Sequence, residues 1–450
     1  MGREPGADHP VSSVGPVRRR TLILLLAAAL VGLPAGVLRA LCAGQSCDAP
    51  SEARARAPFC SLPEDVRTRL ADGFRDGRSP EVFGIAGDVA VRGHSGPGKP
   101  AWPSVHDGRI ESALAFWGAG IDEKGRIRDG TTLDAVAPTV AEVIGLERPH
   151  PEVRSGKAID GIASGAPPRL VLLAVLDVTP QDLSDRPGPF LDRIFTEGAA
   201  TLAADPGALP LDPAATMTTI GAGGLPRQHG ITGATIRNDD GRLVRAWGRG
   251  APPSVIATLG DDLDDHFGGA PRIGMVATDP SERGLIGGDW YVDSDRDDFA
   301  VAGAPHKAAR SARALIRSGY GRDETPDLLG IVLRGETGDI DAALAGAHRA
   351  ARAAAGKDVA VVIAAIGVPD ADGSESVPWN RIARSVSTSI GAPVVDGAAA
   401  GGLFIDQKAL VREEISEDEI VNAMRSVRIG GARLFVDVFP AISISFERYC

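Results

Sequence analysis

The chain has 450 residues, 43% of them hydrophobic and 24% charged, and carries a formal net charge of −11. These proportions suit a globular protein with a sizeable core, arranged as one large α/β domain or as two or three smaller ones. The acidic balance argues against a nucleic-acid partner, whose phosphates need clustered Lys and Arg to neutralise them.

Arg18, Arg19 and Arg20 precede the apolar run "TLILLLAAALVGLPAGVL", Thr21 to Leu38. About 18 apolar residues are just enough for a helix to span a bilayer, and the basic flank favours the cytoplasmic side. Residues 1–20 therefore read as a cytoplasmic flank and 21–41 as a transmembrane signal anchor or a signal peptide. Residues 42–58 read as a small, polar linker. Arg39 and the poor small-residue site in "ALCAG" favour the anchor over cleavage. The bulk of the chain is then expected outside the cytoplasm. It would sit at the cell membrane if the segment is kept, and be secreted if it is removed. The membrane is the expected partner, beside an unidentified protein or cell-envelope ligand.

The four cysteines are Cys42, Cys47, Cys60 and Cys450. An even number fits an oxidising compartment but allows three pairings. Cys60 opens the folded region and Cys450 is the last residue, so a bridge between them would staple its two ends. The competing reading leaves free or membrane-proximal thiols, and the pairing of Cys42 and Cys47 stays open. No cysteine sits with a histidine at zinc-ligand spacing.

From Phe59 onward, apolar runs alternate with helical patterns. "RLVLLAVLD" (169–177), "RIGMVAT" (272–278), "LLGIVLRG" (328–335) and "VAVVIAAIG" (359–367) read as strands buried on both faces. "TTLDAVAPTVAEVIGL", "GPFLDRIFTEGA", "HKAARSARALIRSG", "IDAALAGAHRAARAAAG" and "SEDEIVNAMRSV" read as helices, the last with Ser416 and Glu419 at capping-box spacing. The fold class is α/β, a mostly parallel central sheet with helices on both faces. Such sheets bind ligands beyond the carboxyl ends of their strands. Those tips carry Asp177, then "RGETGD" with Arg334, Glu336 and Asp339, and finally Ala364, Ala365, Ile366 and Gly367.

Three segments resemble the alkaline phosphatase superfamily, in particular its type I phosphodiesterase/nucleotide pyrophosphatase branch. They are "LVLLAVLDVTPQDL" with "PFLDRIFTEGA", "TTIGAGGLPRQHGITG", and "ALAFWGAGIDEKGRIRDGTTLDAVAPTVAEVIGLERP". The last of these is usually near the carboxyl terminus but here precedes the first. The resemblance therefore implies a circularly permuted domain over 59–450, with 59–165 as the family's carboxyl-terminal part and 166–450 as its amino-terminal and middle part. Close chain termini make permutation physically cheap.

The resemblance further implies two divalent metals, usually zinc, held by Asp and His, and a Thr or Ser nucleophile that attacks phosphorus. Asp177 matches the first metal ligand. The nucleophile position falls on Pro213, and a one-residue slip would bring Asp212 there. Glu336 or Asp339 could each supply one oxygen, and His94 or His106 one imidazole. His229 matches a family histidine that is usually structural. Where an Asp-His pair is expected, the fourth strand offers Ala365 and Ile366. The acidic run Asp289, Asp293, Asp295, Asp297 and Asp298 lacks the spacing of a calcium loop and reads as solvated.

Two functions follow from these residues. In one, the chain is a membrane-anchored pseudoenzyme that keeps the fold, has lost the bimetal phosphoesterase site, needs no cofactor, and binds or scaffolds. The alternative is an active hydrolase of phosphate mono- or diesters with a reduced site holding zinc or another divalent metal. Whether the chain is an enzyme stays open at this level.

Overall fold

The structure is a computed structural model. It describes residues 59–450 apart from 88–90, 93–101, 105–106, 108–109, 123, 289, 291–296, 369–376 and 430. The chain divides between Ala57 and Pro58, and the described residues belong to the second unit. The 21–41 segment, Cys42, Cys47, His94, His106, Asp289, Asp293 and Asp295 lie outside the described residues. Among the described residues no helix is long and apolar enough to cross a membrane.

The strands used below are β1 (Val82–Ala86), β2 (Ser112–Gly118), β3 (Leu170–Asp177), β4 (Ala199–Ala204), β5 (Thr235–Arg237), β6 (Leu243–Arg245), β7 (Ile273–Ala277), β8 (Asp298–Val301), β9 (Asp327–Arg334), β10 (Val359–Ala365), β11 (Val395–Ala399), β12 (Gly402–Ile405) and β13 (Phe435–Pro440). The helices are α1 (Glu64–Gly73), α2 (Val136–Val143), α3 (Pro180–Asp185), α4 (Pro189–Glu197), α5 (Pro213–Ala222), α6 (Pro226–His229), α7 (Leu259–His266), α8 (Pro305–Ser318), α9 (Thr337–Ala355), α10 (Trp379–Ile390), α11 (Gln407–Glu413) and α12 (Glu417–Arg425).

Seven strands form the central sheet in the order β4-β2-β10-β3-β9-β7-β8. The pairs β10/β3, β3/β9, β9/β7 and β7/β8 are parallel, while β2 runs antiparallel to both its neighbours. β3 lies fourth from the β8 edge of the sheet, with β10 on one side and β9 on the other. Its apolar run is continuous because both faces are covered. Val171, Leu173 and Val175 pack with Val136, Val140, Met217, Ile220 and Leu263 of α2, α5 and α7. Leu170, Leu172, Ala174 and Leu176 pack with Leu191, Ile194, Ala312, Ile316, Leu344 and Ala347 of α4, α8 and α9. The four strands read from apolar runs all form, with ends within two residues of those expected. Ser416 caps α12 by accepting from the Glu419 amide, and Glu419 answers at the Ser416 amide, completing a capping box.

A second sheet, β11-β12-β1-β13, is antiparallel throughout. Alternation along β1 sends Val82 and Ala86 toward Ile382, Val386, Ile420 and Met424 of α10 and α12. It sends Phe83 and Ile85 toward Phe59, Val66, Leu70 and Phe439. Arg237 of β5 ties the β5/β6 hairpin to this sheet. Its guanidinium pairs with Glu81 and Asp396, at 3.0 Å for the latter, and donates to the Ile405 carbonyl at 2.7 Å.

Cys60 and Cys450 are disulfide-bonded, 390 residues apart in sequence. Beside the bond, the Phe59 and Phe439 rings meet edge to face at 5.2 Å. Closing so long a loop restricts the unfolded chain, and native disulfides typically contribute about 2–5 kcal/mol. Cys60→Ser should therefore lower the unfolding free energy by about 2–5 kcal/mol. A reductant should cost the wild type a similar amount and leave the variant unchanged, as denaturant titration would show.

Candidate active site

The site is built by the register of three parallel strands. β3 and β9 pair so that their last residues, Asp177 and Arg334, stand side by side. β9 pairs with β7 on its other edge, and Thr278 follows β7 directly. The three tips thus present a carboxylate, a guanidinium and a hydroxyl to one another.

Arg334 binds them together. Its Nη1 lies 3.3 Å from Asp177 Oδ2, its Nε donates to Thr278 Oγ1 at 2.8 Å, and its Nη2 lies 2.5 Å from Glu282 Oε1. Glu282 is fully buried and Arg334 only 12% exposed, so water screens this contact weakly. Glu282 also accepts from the Thr278 and Asp279 amides at 2.7 and 3.1 Å. It is the N3 residue of a capping box whose N-cap is Asp279. That spacing, Asp-x-x-Glu directly after a buried strand, is the signal in the sequence that marks Glu282. Neither Glu282 nor Thr278 was singled out from the sequence.

The opposite wall is the stretch 211–233. Asp212 is the N-cap of α5, accepting from the Ala214 amide at 2.9 Å, and Pro213 occupies the first helical position. Proline suits that position because its missing N–H would have no intrahelical partner there, and it offers no nucleophile. Burial pushes the Asp212 carboxyl up to about 6, against the opposing pull of the Ala234, Ala214 and Ala215 amides and of Arg334. Thr216, one turn on, is half-buried and lines the same narrow cleft as Asp177, Pro213, Arg334 and Ile366. The cleft has a volume of about 20 Å³, room for about one water molecule.

The other hydroxyls of α5 are occupied. Thr218 donates to the Ala214 carbonyl at 2.8 Å, and Thr219 Oγ1 lies 3.1 Å from His229 Nε2. The Ile231 amide donates to His229 Nδ1, so the proton of the neutral ring sits on Nε2 and faces Thr219. Burial holds His229 down at about 3, which keeps it neutral and structural. The glycines here serve close packing. A Cβ on Gly221 would strike the Gly284 and Leu285 carbonyls, and one on Gly284 would strike Thr218.

The remaining sequence candidates among the described residues do not join this cluster. Glu336 is the exposed N-cap residue of α9 and makes no side-chain cap. Asp339 is exposed in the first turn of α9, where the helix dipole favours a carboxylate. At the tip of β10, Ile366 and Gly367 donate backbone amides to Leu176 and Val178. A Cβ on Gly367 would collide with the Val178 backbone, which accounts for glycine there. Of the acidic run, Asp297 pairs with Arg283 at 3.3 Å and Asp298 accepts from the Tyr320 hydroxyl at 3.1 Å.

The described residues do not by themselves fit the two divalent metals that the family resemblance implies. Among the described residues, no three of His, Cys, Asp and Glu converge as a metal site. The carboxylate that matches the first ligand already faces a guanidinium. A dication about 4 Å from that guanidinium would meet a repulsion of about 8 kcal/mol at an effective dielectric of about 20. A larger acidic cavity of about 560 Å³ lies at the amino ends of β7 and β8, lined by Asp264, Asp297, Asp298 and Asp323. It is at the wrong end of the sheet for the strand-tip chemistry.

Two outcomes test this geometry. Arg334→Met should destabilise the protein by about 3–5 kcal/mol, since it leaves Glu282 buried and unpaired. Arg334→Lys should recover only part of that loss in the same denaturant titration, because one ammonium cannot reproduce a planar fork reaching three acceptors. The second outcome concerns pH. Folded Asp212 holds its proton up to about pH 6, whereas an unfolded aspartate loses it near pH 4. Between those values the folded state binds more protons, so stability falls as pH rises and the cost is complete above about pH 6. At about 1.4 kcal/mol per pH unit the cost is about 3 kcal/mol. Relative to wild type, Asp212→Asn should therefore gain about 3 kcal/mol between pH 4 and pH 7. A constant difference across that range would refute the assignment.

No family model matches the chain, and no curated protein matches it. Among solved structures the chain is similar to the crystal structure of wild-type alkaline phosphatase PafA. The two are 14% identical, the similarity covers 58% of this chain and 77% of that one, and the TM-score is 0.44.

Proposed function

We propose that this chain is an alkaline-phosphatase-like protein whose strand tips have given up metal-dependent phosphoester chemistry, and that it binds or scaffolds rather than hydrolyses. The observation that carries this reading is Arg334. A single guanidinium satisfies Asp177, Glu282 and Thr278 at the place where the resemblance puts a cation. Unlike a metal, it leaves no open coordination position and cannot generate a nucleophile from water or a hydroxyl. Pro213 at the nucleophile position and Ile366 at the fourth tip support the same reading.

In this proposal the protein works outside the cytoplasm, tethered through 21–41 or released by its cleavage. The Cys60–Cys450 bond supports that placement, since disulfides persist in oxidising compartments. The arrangement of its segments is that of a permuted domain, 59–165 followed by 166–450.

The alternative, a hydrolase of phosphate mono- or diesters, draws its support from Thr216, whose hydroxyl shares the cleft with Asp177. The experiment that separates the two uses the full chain purified in a neutral detergent, loaded with zinc, and assayed on a bis-aryl phosphodiester and an aryl phosphate monoester. The expected result is turnover no greater than that of an Asp177→Asn variant, with substoichiometric zinc after dialysis. Stoichiometric zinc together with turnover that Asp177→Asn abolishes would establish the hydrolase instead.

A further inference from the structure

On the sheet face covered by α4, α8 and α9, the charge runs against that of the whole chain. α8 holds Lys307, Arg310, Arg313 and Arg317 and contains no Asp or Glu. In α9 the acidic residues are confined to Asp339 and Asp341 near its start, and Arg349 and Arg352 follow with no carboxylate between them and its end. The Asp341 carboxylate is committed to capping α4, accepting from the Phe190 and Leu191 amides at 2.9 and 2.8 Å. Arg193 of α4 is committed too, paired with Glu197 at 2.8 Å and stacked over the Trp117 ring at 5.0 Å. Arg310, Arg313, Arg349 and Arg352 form no ion pair among the described residues.

Two of these guanidinium groups converge. Gly346 of α9 lacks a side chain, and the Nη1 of Arg313 and the Nη2 of Arg349 lie 3.7 and 3.8 Å from the point its Cβ would occupy. Arg313 is half-buried, and its Nε–H is out of water with no acceptor. Packing therefore holds the stem and fixes where the head points. Arg349, from the neighbouring helix, is exposed. The helix dipole accounts for Arg317 and Arg352 in the last turns but not for Arg313 and Arg349, which lie a turn further in, where that effect has faded. Two unpaired guanidinium groups held toward one point repel each other unless an anion lies between them. Their planar donor forks match an oxyanion with several acceptor oxygens, and restraining a long side chain beforehand lowers the entropic cost of binding.

We propose that Arg313 and Arg349, converging over the buried Gly346 where α8 and α9 meet, form a binding site for a phosphate group. Arg310 and Arg352 flank it and raise the local anion concentration. The site stands apart from the strand tips and does not rest on the reading of their chemistry. A soluble phosphate and the headgroup of an anionic phospholipid present the same chemistry to it.

The test titrates inorganic phosphate into the full-length protein in neutral detergent, at ionic strength held constant with chloride, and follows binding by calorimetry. Saturable binding is expected, weakened at least tenfold in the double variant Arg313→Gln/Arg349→Gln and measurably in Arg349→Gln alone. Arg242→Gln, an exposed arginine of the β5–β6 turn, should bind as the wild type does. Mixed micelles then distinguish the source. Competition by phosphatidylglycerol but not phosphatidylcholine assigns the site to a lipid headgroup, and lack of competition by either assigns it to a soluble phosphate. The absence of saturable phosphate binding, or equal affinity in wild type and in Arg349→Gln, would overturn the proposal.

Discussion

The register between β3 and β9 is the constraint on which the site depends. Parallel pairing of Leu170 with Asp327 at one end forces Asp177 beside Arg334 at the other. A slip of one residue would send Leu172 and Leu176 to the opposite face of the sheet and exchange the packing partners of both helical layers, so the register is held by the core. The tips inherit that rigidity. Arg334 cannot retreat from Asp177 without breaking the pairing, and Glu282 cannot retreat from Arg334 while its own capping box holds it. The salt-bridged cluster is thus a consequence of how the sheet packs, and it sets one guanidinium against two carboxylates at the end of the sheet where α/β proteins bind ligands.

Much of this could be read from the residues. β3, β7, β9 and β10 announce themselves as apolar runs because helices cover both faces of the sheet. α12 announces itself by its cap. The antiparallel sheet was not visible, because its strands are short and their character weak. β11 reads "VDGAA", with only Ala399 buried, and β12 is four residues long. Its order, joining Val82–Ala86 to segments more than 300 residues away, rests on contacts that no local pattern encodes. At the site, Asp177 and Arg334 were legible as strand tips. Glu336 and Asp339 stand away from Asp177 and Arg334 for a physical reason. Gly335 adopts φ 144°, the chain turns into α9, and residues adjacent in sequence to a tip are carried out to solvent.

In the stretch 211–233 most residues have a packing or capping role. Its glycines answer to packing, as Gly221 and Gly284 do where α5 crosses the turn after β7. Gly223 and Gly230 take left-handed conformations at two helix ends, with φ of 73° and 82°. His229 is sealed in a neutral form between Thr219 and the Ile231 amide. Each of these roles survives without a nucleophile. Only the entry to α5 bears on reactivity, and there Asp212 and Pro213 form a good helix start.

A guanidinium and a metal ion differ in what they leave available at a strand tip. A metal site keeps charge available, because a dication in a carboxylate set still attracts an incoming oxygen. Arg334 has one positive charge facing Asp177 and Glu282 directly and Asp212 at longer range, so the cleft is net negative and disfavours an anion. With space for about one water molecule, it is also closed by volume. The chain carries a net charge of −11, yet Arg310, Arg313, Arg349 and Arg352 of α8 and α9 form no ion pair among the described residues, and an anion would meet positive charge there. The inward-facing residues of those helices complete the core, which leaves the rest of each helix less constrained by packing and able to carry charge.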